Sequence, residues 1–274
     1  MKTFLSGFDP DIRENLKQQI SVRWTYASNA IEGSSLTLGE TDFVIREGIT
    51  ISGKPLKDFN DAENHYSAIS KIYQLAASDE KLTKETLFLL HKALMPNNVM
   101  DIYKPIGAWK NDINGTYQID ETTNRSYWIE YPSPAKIPFL MERWIDLFNS
   151  QKVQSQADAV KVYSKLHTLF VSIHPFFDGN GRMARLVSNI PVLRGGFAPI
   201  VIDSLRRKEY IGILSKIHKD NPEPDFTKDY PQMESFIQSC CQEIFDCIEQ
   251  AREVQNKRNL EREKDQSQDQ EMSM

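Results

Sequence analysis

Apolar residues recur at helical spacing along most of the chain. Leu16, Ile20 and Trp24 follow Ile12 at intervals of four residues, which predicts an amphipathic helix over residues 11–27. The same periodicity predicts helices over residues 58–77, 83–95, 137–148, 157–173 and 236–251, another that begins near Gly181, and one that ends near His218. This pattern favours a mainly α-helical fold.

A short helix is also predicted after the first one. Thr37 and Glu40 have the spacing of a capping box, in which each side chain accepts a hydrogen bond from the backbone of the other residue. Gly48 would end this helix after Glu47, because glycine readily takes the left-handed conformation found at helix ends.

Residues 101–134 lack the helical pattern. Prolines and glycines interrupt this stretch, and isoleucines, tyrosines and a tryptophan between them favour short strands. We therefore expect a β-hairpin, or flap, between two groups of helices.

The composition is that of a globular protein. Of the 274 residues, 40% are hydrophobic and 26% are charged, which excludes a disordered chain. The formal charge of −5 makes nucleic acid and an anionic membrane surface unfavourable partners. We expect no membrane span and no secretory signal, because no apolar run is long enough. Few, clustered cysteines without a CxxC pair favour a reduced, cytoplasmic protein.

One segment, from His174 to Arg185, combines several kinds of chemistry. It reads His-Pro-Phe-Phe-Asp-Gly-Asn-Gly-Arg-Met-Ala-Arg. Its glycines permit a loop that turns backbone N–H groups inward, and the helix that follows adds positive potential at its N-terminus. Such a loop favours an anion such as phosphate.

The side chains of this segment suit the same chemistry. Arg182 and Arg185 lie on neighbouring positions of the new helix and could clamp phosphate oxygens. Asp178 is a hard oxygen ligand suited to Mg²⁺ that also touches phosphate. His174 can take a proton near neutral pH. The Lys-Ser/Thr pair of the usual P-loop does not follow the glycines.

Each of these features also has an ordinary structural interpretation. A histidine beside proline is more often structural than catalytic, and Gly-Asn-Gly is a common turn. Two arginines three residues apart usually lie on a solvated helix face. Their combination in one short segment favours the functional interpretation.

The segment resembles the signature of the Fic family, HPFx(D/E)GNGRxxR, and matches every fixed position. The family fold is a mainly helical bundle with a small β-hairpin flap over the active site. The family's activity is transfer of AMP from Mg-ATP to a Ser, Thr or Tyr hydroxyl of a protein. The resemblance covers roughly residues 20–220 and implies ATP and Mg²⁺ as cofactors.

The resemblance implies roles for the loop. His174 would be the general base that takes the proton from the attacking hydroxyl. Asp178 would hold Mg²⁺ that bridges the α- and β-phosphates. Gly179, Asn180 and Gly181 would cradle those phosphates.

The resemblance also implies roles for the helix that follows. Arg182 would neutralise phosphate charge, and Arg185 would hold the γ-phosphate. Phe176 would be a buried anchor of the loop. A relative that phosphorylates carries lysine in place of the second glycine, so Gly181 argues against that activity.

A second motif lies upstream, from Ser28 to Gly33. It resembles the family's inhibitory element, (S/T)xxxE(G/N), and matches it in full. The resemblance implies autoinhibition, with Glu32 paired to Arg185 so that the γ-phosphate is misplaced. Considered alone, Glu32 could equally be a surface charge at a helix C-terminus.

Residues 109–128 occupy the place of the family's flap, which pairs with the target segment by strand addition. Their aromatic residues are equally consistent with packing into the core. Further along, Tyr210 lies in a segment that resembles the adenine side of the family's site. It is the candidate adenine contact, although Ile211 stands where relatives often have a second aromatic residue.

We expect three regions. They are an N-terminal helical region with the inhibitory motif (1–100, motif 28–33), a Fic catalytic core with flap and signature (101–220, flap about 109–128, signature 174–185), and a C-terminal helix with a polar tail (221–274). The tail is expected to be frayed or helical only by extension.

The sequence thus predicts an autoinhibited protein adenylyltransferase that modifies a target protein of unknown identity and itself. One alternative is a de-adenylylase, in which Glu32 positions water against AMP-modified protein. Another is a regulatory Fic-domain protein that no longer turns over, against which the intact signature argues. A homo-oligomer is compatible with the sequence.

Overall fold

The computed structural model describes residues 3–95, 104–120 and 125–272. The helices are α1 (Pro10–Ile31), α2 (Leu38–Glu47), α3 (Leu56–Ala77), α4 (Lys84–Leu94), α5 (Ile137–Ser150), α6 (Gln156–Ile173), α7 (Asn180–Val187), α8 (Asn189–Arg194), α9 (Arg207–Asp220), α10 (Pro231–Cys240) and α11 (Gln242–Met272). Two antiparallel strands, β1 (Gly115–Asp120) and β2 (Arg125–Glu130), form a hairpin.

The predicted fold class, a mainly α-helical bundle with a small β-hairpin, is confirmed. The predicted domain boundary at residues 100–101 and the turn of the predicted flap lie outside the described residues.

Helix α1 packs its predicted apolar stripe into the core. Ile12, Leu16, Ile20 and Trp24 are buried, and α1 contacts α2, α3 and α11. The helix continues past the predicted boundary, so the segment from Ser28 to Gly33 lies at its C-terminal end.

Helix α6 lies at the centre of the molecule. Nearly every side chain from Ala159 to Ile173 is buried, because α5, α7, α8 and α10 pack around it. The loop that follows α6 therefore starts from a rigid base.

Helix α7 is short because of Pro191. Proline has no N–H to bond to the Val187 carbonyl four residues earlier, and its ring crowds that carbonyl. Helix α7 therefore ends at Val187, and α8 begins at Asn189. The helix predicted to begin near Gly181 begins at Asn180.

The predicted capping box of α2 is confirmed. The Glu40 N–H donates to Thr37 Oγ1 at 3.2 Å, and the Thr37 N–H donates to Glu40 Oε2 at 2.7 Å. Gly48 follows the helix with φ 64°, in the left-handed conformation expected of a helix end.

The aromatic residues of the predicted flap divide between surface and core. Tyr117 and Trp128 pair across the strands with ring centres 5.0 Å apart, and they are 73% and 47% exposed. Trp109 instead packs on Phe88 of α4, with ring centres 4.5 Å apart, against the main core. Packing into the core therefore holds for Trp109, whereas the pairing of the hairpin with a target segment stays a prediction.

The C-terminal helical pattern is divided at Cys241. Helix α10 ends one residue before it and α11 begins one residue after it, where a single helix over residues 236–251 was predicted. Helix α11 has 31 residues, but neither it nor any other helix in the described ranges is long and apolar enough to cross a membrane.

The polar tail lies against the start of α1. Arg258 forms ion pairs with Asp9 at 2.9 Å and with Asp11 at 2.7 Å, and Arg262 reaches Asp9 at 2.8 Å. These pairs join α11 to the start of α1. Of the two outcomes expected for the tail, fraying or extension of the last helix, the structure has the second, because α11 continues to Met272.

Replacing Trp144 by alanine should destabilise the protein by about 3–5 kcal/mol, the usual cost of removing a fully buried aromatic side chain. Trp144 is fully buried on α5, and its Nε1–H donates to the Leu166 carbonyl at 3.0 Å. Phe139→Ala is the matched control, because Phe139 lies on the same helix and is 61% exposed. Urea unfolding should show a change within about 0.5 kcal/mol for the control. Equal losses in the two variants would contradict the assignment of α5's core face.

Candidate active site

A cavity of about 990 Å³ opens beside the loop between α6 and α7. Its walls come from the C-terminal end of α1, from β1, from α6 and α7, and from α9. Several residues that the sequence predicted to act together line it: Glu32, His174, Gly181, Arg185 and Tyr210. The fold therefore brings both sequence motifs to one cavity.

His174 follows α6 in the left-handed conformation, with φ 51°. Its ring stacks on Tyr131 with centres 3.7 Å apart, and its Nδ1 lies 3.2 Å from the Val171 carbonyl oxygen. Because a carbonyl only accepts, Nδ1 carries the proton and Nε2 keeps its lone pair. Burial and then the nearby Lys110 charge lower the pKa of His174 to about 3, so the ring is neutral at pH 7.

The N-terminus of α7 has the form of an anion site. Gly179 precedes the helix with φ 76°, and no side chain caps the first N–H groups of the helix. A Cβ atom at Gly179 would approach Met95 Sδ to 2.8 Å, a contact that the flexible methionine side chain can relieve, so the positive φ is what favours glycine here. Uncapped N–H groups and the helix dipole together attract an anion.

Asn180 closes this loop on itself. Its Oδ1 accepts the Phe176 N–H at 2.9 Å, and its Nδ2 donates to the Phe176 carbonyl at 2.8 Å. Phe176 is fully buried and packs on Trp109, as expected of an anchor. The predicted contact between Asn180 and phosphate stays a prediction.

Arg182 does not line the cavity and forms a buried ion pair. Its Nη1 donates to Asp61 Oδ1 on α3 at 3.0 Å, and both side chains are buried. Lys57 pairs with the other oxygen of Asp61. Sequence reasoning missed Asp61, and the predicted contact of Arg182 with phosphate stays a prediction.

Arg185 joins α7 to the end of α1. Its Nε donates to Ser28 Oγ at 2.9 Å, and its Nη2 donates to the Ser28 carbonyl at 2.9 Å and to Glu32 Oε1 at 2.6 Å. The guanidinium is buried, and although burial disfavours its charge, Glu32 raises the pKa of Arg185 above its ordinary value. The signature and the upstream motif are thus in direct contact.

The Glu32 carboxylate lies over the start of α7. A Cβ atom at Gly181 would come within 2.6 Å of Glu32 Oε1, so a side chain there would displace the carboxylate. Burial opposes the charge of Glu32, but Arg185, followed by Arg182 and Arg207, more than offsets this and lowers the pKa of Glu32. Glu32 is therefore ionised at pH 7.

Residues 81–191 match the model of the Fic/DOC family. The chain contains a Fic domain. The matched range includes α4, the hairpin, α6 and α7, whereas α1 with its motif precedes it. Residues 174–185 are called the Fic loop below.

Solved structures and curated proteins resemble most of the chain. A Fic domain containing signaling protein from Bacteroides thetaiotaomicron is 27% identical, with a TM-score of 0.76 over 90% of this chain and 92% of its own. Fic-1 from C. elegans shares the fold, with a TM-score of 0.69 at 20% identity over 90% of this chain and 69% of its own. Protein adenylyltransferase Fic of Drosophila willistoni is 26% identical over 84% of this chain and 42% of its own length. The chain thus spans less than half the length of these curated relatives.

Tyr210 of α9 is buried beside the cavity. Its hydroxyl lies 2.9 Å from His167 Nε2 and also contacts the guanidinium of Arg185. Burial lowers the pKa of His167 to about 3, so this ring is neutral. The structure places Tyr210 at the cavity wall, and its contact with adenine stays a prediction.

Asp178 is exposed at the tip of the Fic loop. Its Oδ1 accepts the Gly179 N–H at 2.6 Å. Among the described residues, no three His, Cys, Asp or Glu side chains converge in a metal-binding arrangement. A single carboxylate fits Mg²⁺, which takes its remaining ligands from phosphate and water.

Residues far from the signature hold the Fic loop, and sequence reasoning missed them. The Lys110 N–H donates to the Pro175 carbonyl at 2.9 Å, and Asn114 Nδ2 donates to the Phe176 carbonyl at 3.2 Å. His91 of α4 contacts the loop as well. No spacing in the sequence could indicate these contacts, because each joins segments that are more than 60 residues apart.

Replacing Glu32 by glutamine should lower the free energy of unfolding at pH 7 by about 1–2 kcal/mol. The substitution removes the carboxylate that pairs with the buried Arg185. The destabilisation stays below the roughly 3–5 kcal/mol of breaking a fully buried pair, because the Glu32 side chain is 41% exposed. Since folding lowers the pKa of Glu32, this contribution is present above the ordinary value of 4.5 and is lost as pH falls through the lower, folded-state pKa. Urea unfolding of wild type and variant, repeated from pH 7 down to about pH 3, should show that their free energies of unfolding converge as pH falls. A difference independent of pH would contradict the ion pair.

Proposed function

We propose that this protein is an autoinhibited adenylyltransferase that transfers AMP from Mg-ATP to a hydroxyl group of a target protein and of itself. The observation that carries the proposal is the shared cavity of His174, the uncapped α7 N-terminus and Arg185. The names of the curated relatives support the same reaction.

The phosphates would bind along the Fic loop. The N–H groups of Asn180 and Gly181 suit the α- and β-phosphates, and the Gly179 N–H would join them on leaving Asp178 Oδ1, to which it donates in this structure. Arg185 suits the γ-phosphate. Asp178 would hold Mg²⁺ against the phosphates, where the ion supplies neutralisation of their charge. The adenine would lie toward Tyr210 and α9, which form the remaining wall.

His174 would accept the proton of the attacking hydroxyl at Nε2. The hydroxyl oxygen then forms a bond to the α-phosphorus, the bond from that phosphorus to the bridging oxygen breaks, and pyrophosphate leaves. Negative phosphates beside the ring would raise the pKa of His174 from its low value toward the working pH, which improves a general base. Positioning and charge neutralisation supply the rest of the catalysis.

The hairpin would present the target. An edge of a two-stranded hairpin offers unpaired backbone groups to an added strand, which aligns a hydroxyl with little demand on sequence. Thr116 and Tyr117 of β1 line the same cavity as His174, so a target segment paired with the hairpin would lie close to the proposed general base, His174.

Glu32 would inhibit by occupying Arg185. The γ-phosphate needs the guanidinium that Glu32 contacts at 2.6 Å, so ATP would bind with its phosphates misplaced.

We also assign the protein to a reducing compartment such as the cytoplasm, because Cys240, Cys241 and Cys247 are buried free thiols.

Glu32→Gly should raise self-labelling by labelled ATP on the order of 100-fold, because misplacement of reacting groups by about 1 Å costs roughly that factor. Arg185→Ala in the same background should cancel the gain. Glu47→Gly is a matched control, since Glu47 also stands before a glycine at a helix end but lies outside the cavity. It should label at the wild-type rate.

Three outcomes of that experiment are informative. An unchanged rate in Glu32→Gly contradicts autoinhibition. A gain that survives Arg185→Ala contradicts the proposed route through Arg185. Loss of label removal from modified protein, without a gain in transfer, favours the de-adenylylase.

His174→Ala in the Glu32→Gly background should abolish transfer while leaving ATP affinity within about twofold. A general base acts on the nucleophile and not on the nucleotide. Calorimetric titration of Mg-ATP and the labelling rate should be measured on the same preparation. Transfer above a few per cent of the parent would remove His174 from this role.

A further inference from the structure

His91 connects three segments at the Asp178 end of the Fic loop. Its Nε2 lies 3.0 Å from the Asp178 carbonyl oxygen, and its Nδ1 lies 2.9 Å from the Gly107 nitrogen. Its ring stacks on Phe176 with centres 3.9 Å apart and planes at 4°. The side chain is buried on α4, so these contacts are shielded from water.

The partners fix the protonation pattern of this ring. The Gly107 N–H can only donate, so Nδ1 of His91 accepts and carries no proton. The Asp178 carbonyl can only accept, so Nε2 carries the proton and donates. Both ring nitrogens are therefore satisfied by backbone groups of other segments, which leaves the ring a single orientation.

Other residues hold the opposite end of the loop. The Lys110 N–H and Asn114 Nδ2 donate to the carbonyls of Pro175 and Phe176, and the Asn180 side chain bonds to both the N–H and the carbonyl of Phe176. Asn114 Nδ2 also reaches the Phe177 carbonyl at 3.5 Å, and the hydrogen bond from His91 holds the carbonyl of Asp178, which follows it and immediately precedes Gly179.

We propose that His91 is a positioning residue, which sets the place of the Asp178 carboxylate through its hydrogen bond to the Asp178 carbonyl. The inference rests on the proposed function, because it gives this carboxylate its use with Mg²⁺. The Gly179 N–H, on the same peptide as that carbonyl, donates to Asp178 Oδ1, so a rotation of the 178–179 peptide would break this bond and release the carboxylate. His91 itself touches neither substrate nor metal.

Stacking on Phe176 offers a competing account, in which His91 only fills space. Three substitutions separate the two accounts. Glutamine places an amide N–H where Nε2 stands and keeps the bond to Asp178. Asparagine places an amide oxygen where Nδ1 stands and keeps only the bond to Gly107. Phenylalanine keeps the stack and neither bond.

Hydrogen exchange of peptides that cover residues 176–181 gives the first readout, on the full chain without nucleotide. We expect exchange to rise about tenfold in His91→Phe and His91→Asn and to stay within about twofold of wild type in His91→Gln. Leu89→Gln is the matched control, because Leu89 is exposed on the same helix. It should leave exchange unchanged. Thermal unfolding of every variant identifies a general loss of stability.

Transfer gives the second readout, measured in the Glu32→Gly background. His91→Phe and His91→Asn should lose about 10–100-fold in kcat and need more Mg²⁺ for half-maximal rate, whereas His91→Gln should stay within about threefold. Rescue by glutamine alone distinguishes the bond to Asp178 from packing.

Equal behaviour of the three substitutions, whether all like wild type or all impaired, would overturn the proposal. So would rescue by asparagine rather than glutamine. If the Glu32→Gly parent shows no transfer, the proposed function fails, and the exchange comparison still decides whether His91 positions the loop.

Discussion

The buried guanidinium of Arg185 is the constraint on which the site depends. A buried charge is tolerated only when other groups pair with it and accept its hydrogen bonds. Those groups are Ser28 and Glu32 at the end of α1, together with the Tyr210 hydroxyl. Helices α1, α7 and α9 are therefore held around one cation, and this cation faces the cavity.

Charge in the cavity differs from charge in the whole chain. The formal charge is −5, yet Arg185 and Arg207 both line the cavity, with Arg182 close enough to lower the pKa of Glu32. Asp61 takes up the charge of Arg182 within the core. Glu32 also lines the cavity and pairs with Arg185, so under the proposed function this carboxylate and the γ-phosphate would compete for one guanidinium.

Much of the fold could be predicted from local pattern. The α1 stripe, the α2 capping box and the hairpin follow from residues that are near each other in sequence. The division at Cys241 is not indicated by the local pattern. A helical tail was one of the two outcomes expected, but the ion pairs of Arg258 and Arg262 with Asp9 join the two ends of the chain, and no local propensity contains such a contact.

The sequence by itself determined which chemical groups this protein brings to its site, because one signature and one upstream motif are contiguous segments whose residue types and spacing can be recognised directly. Only the tertiary structure decided how those groups are placed and paired. It placed Glu32 on Arg185, turned Arg182 toward Asp61 and set His91 under the Fic loop. Such contacts depend on the packing of helices that are distant in sequence, and burial then sets the charge state of each group.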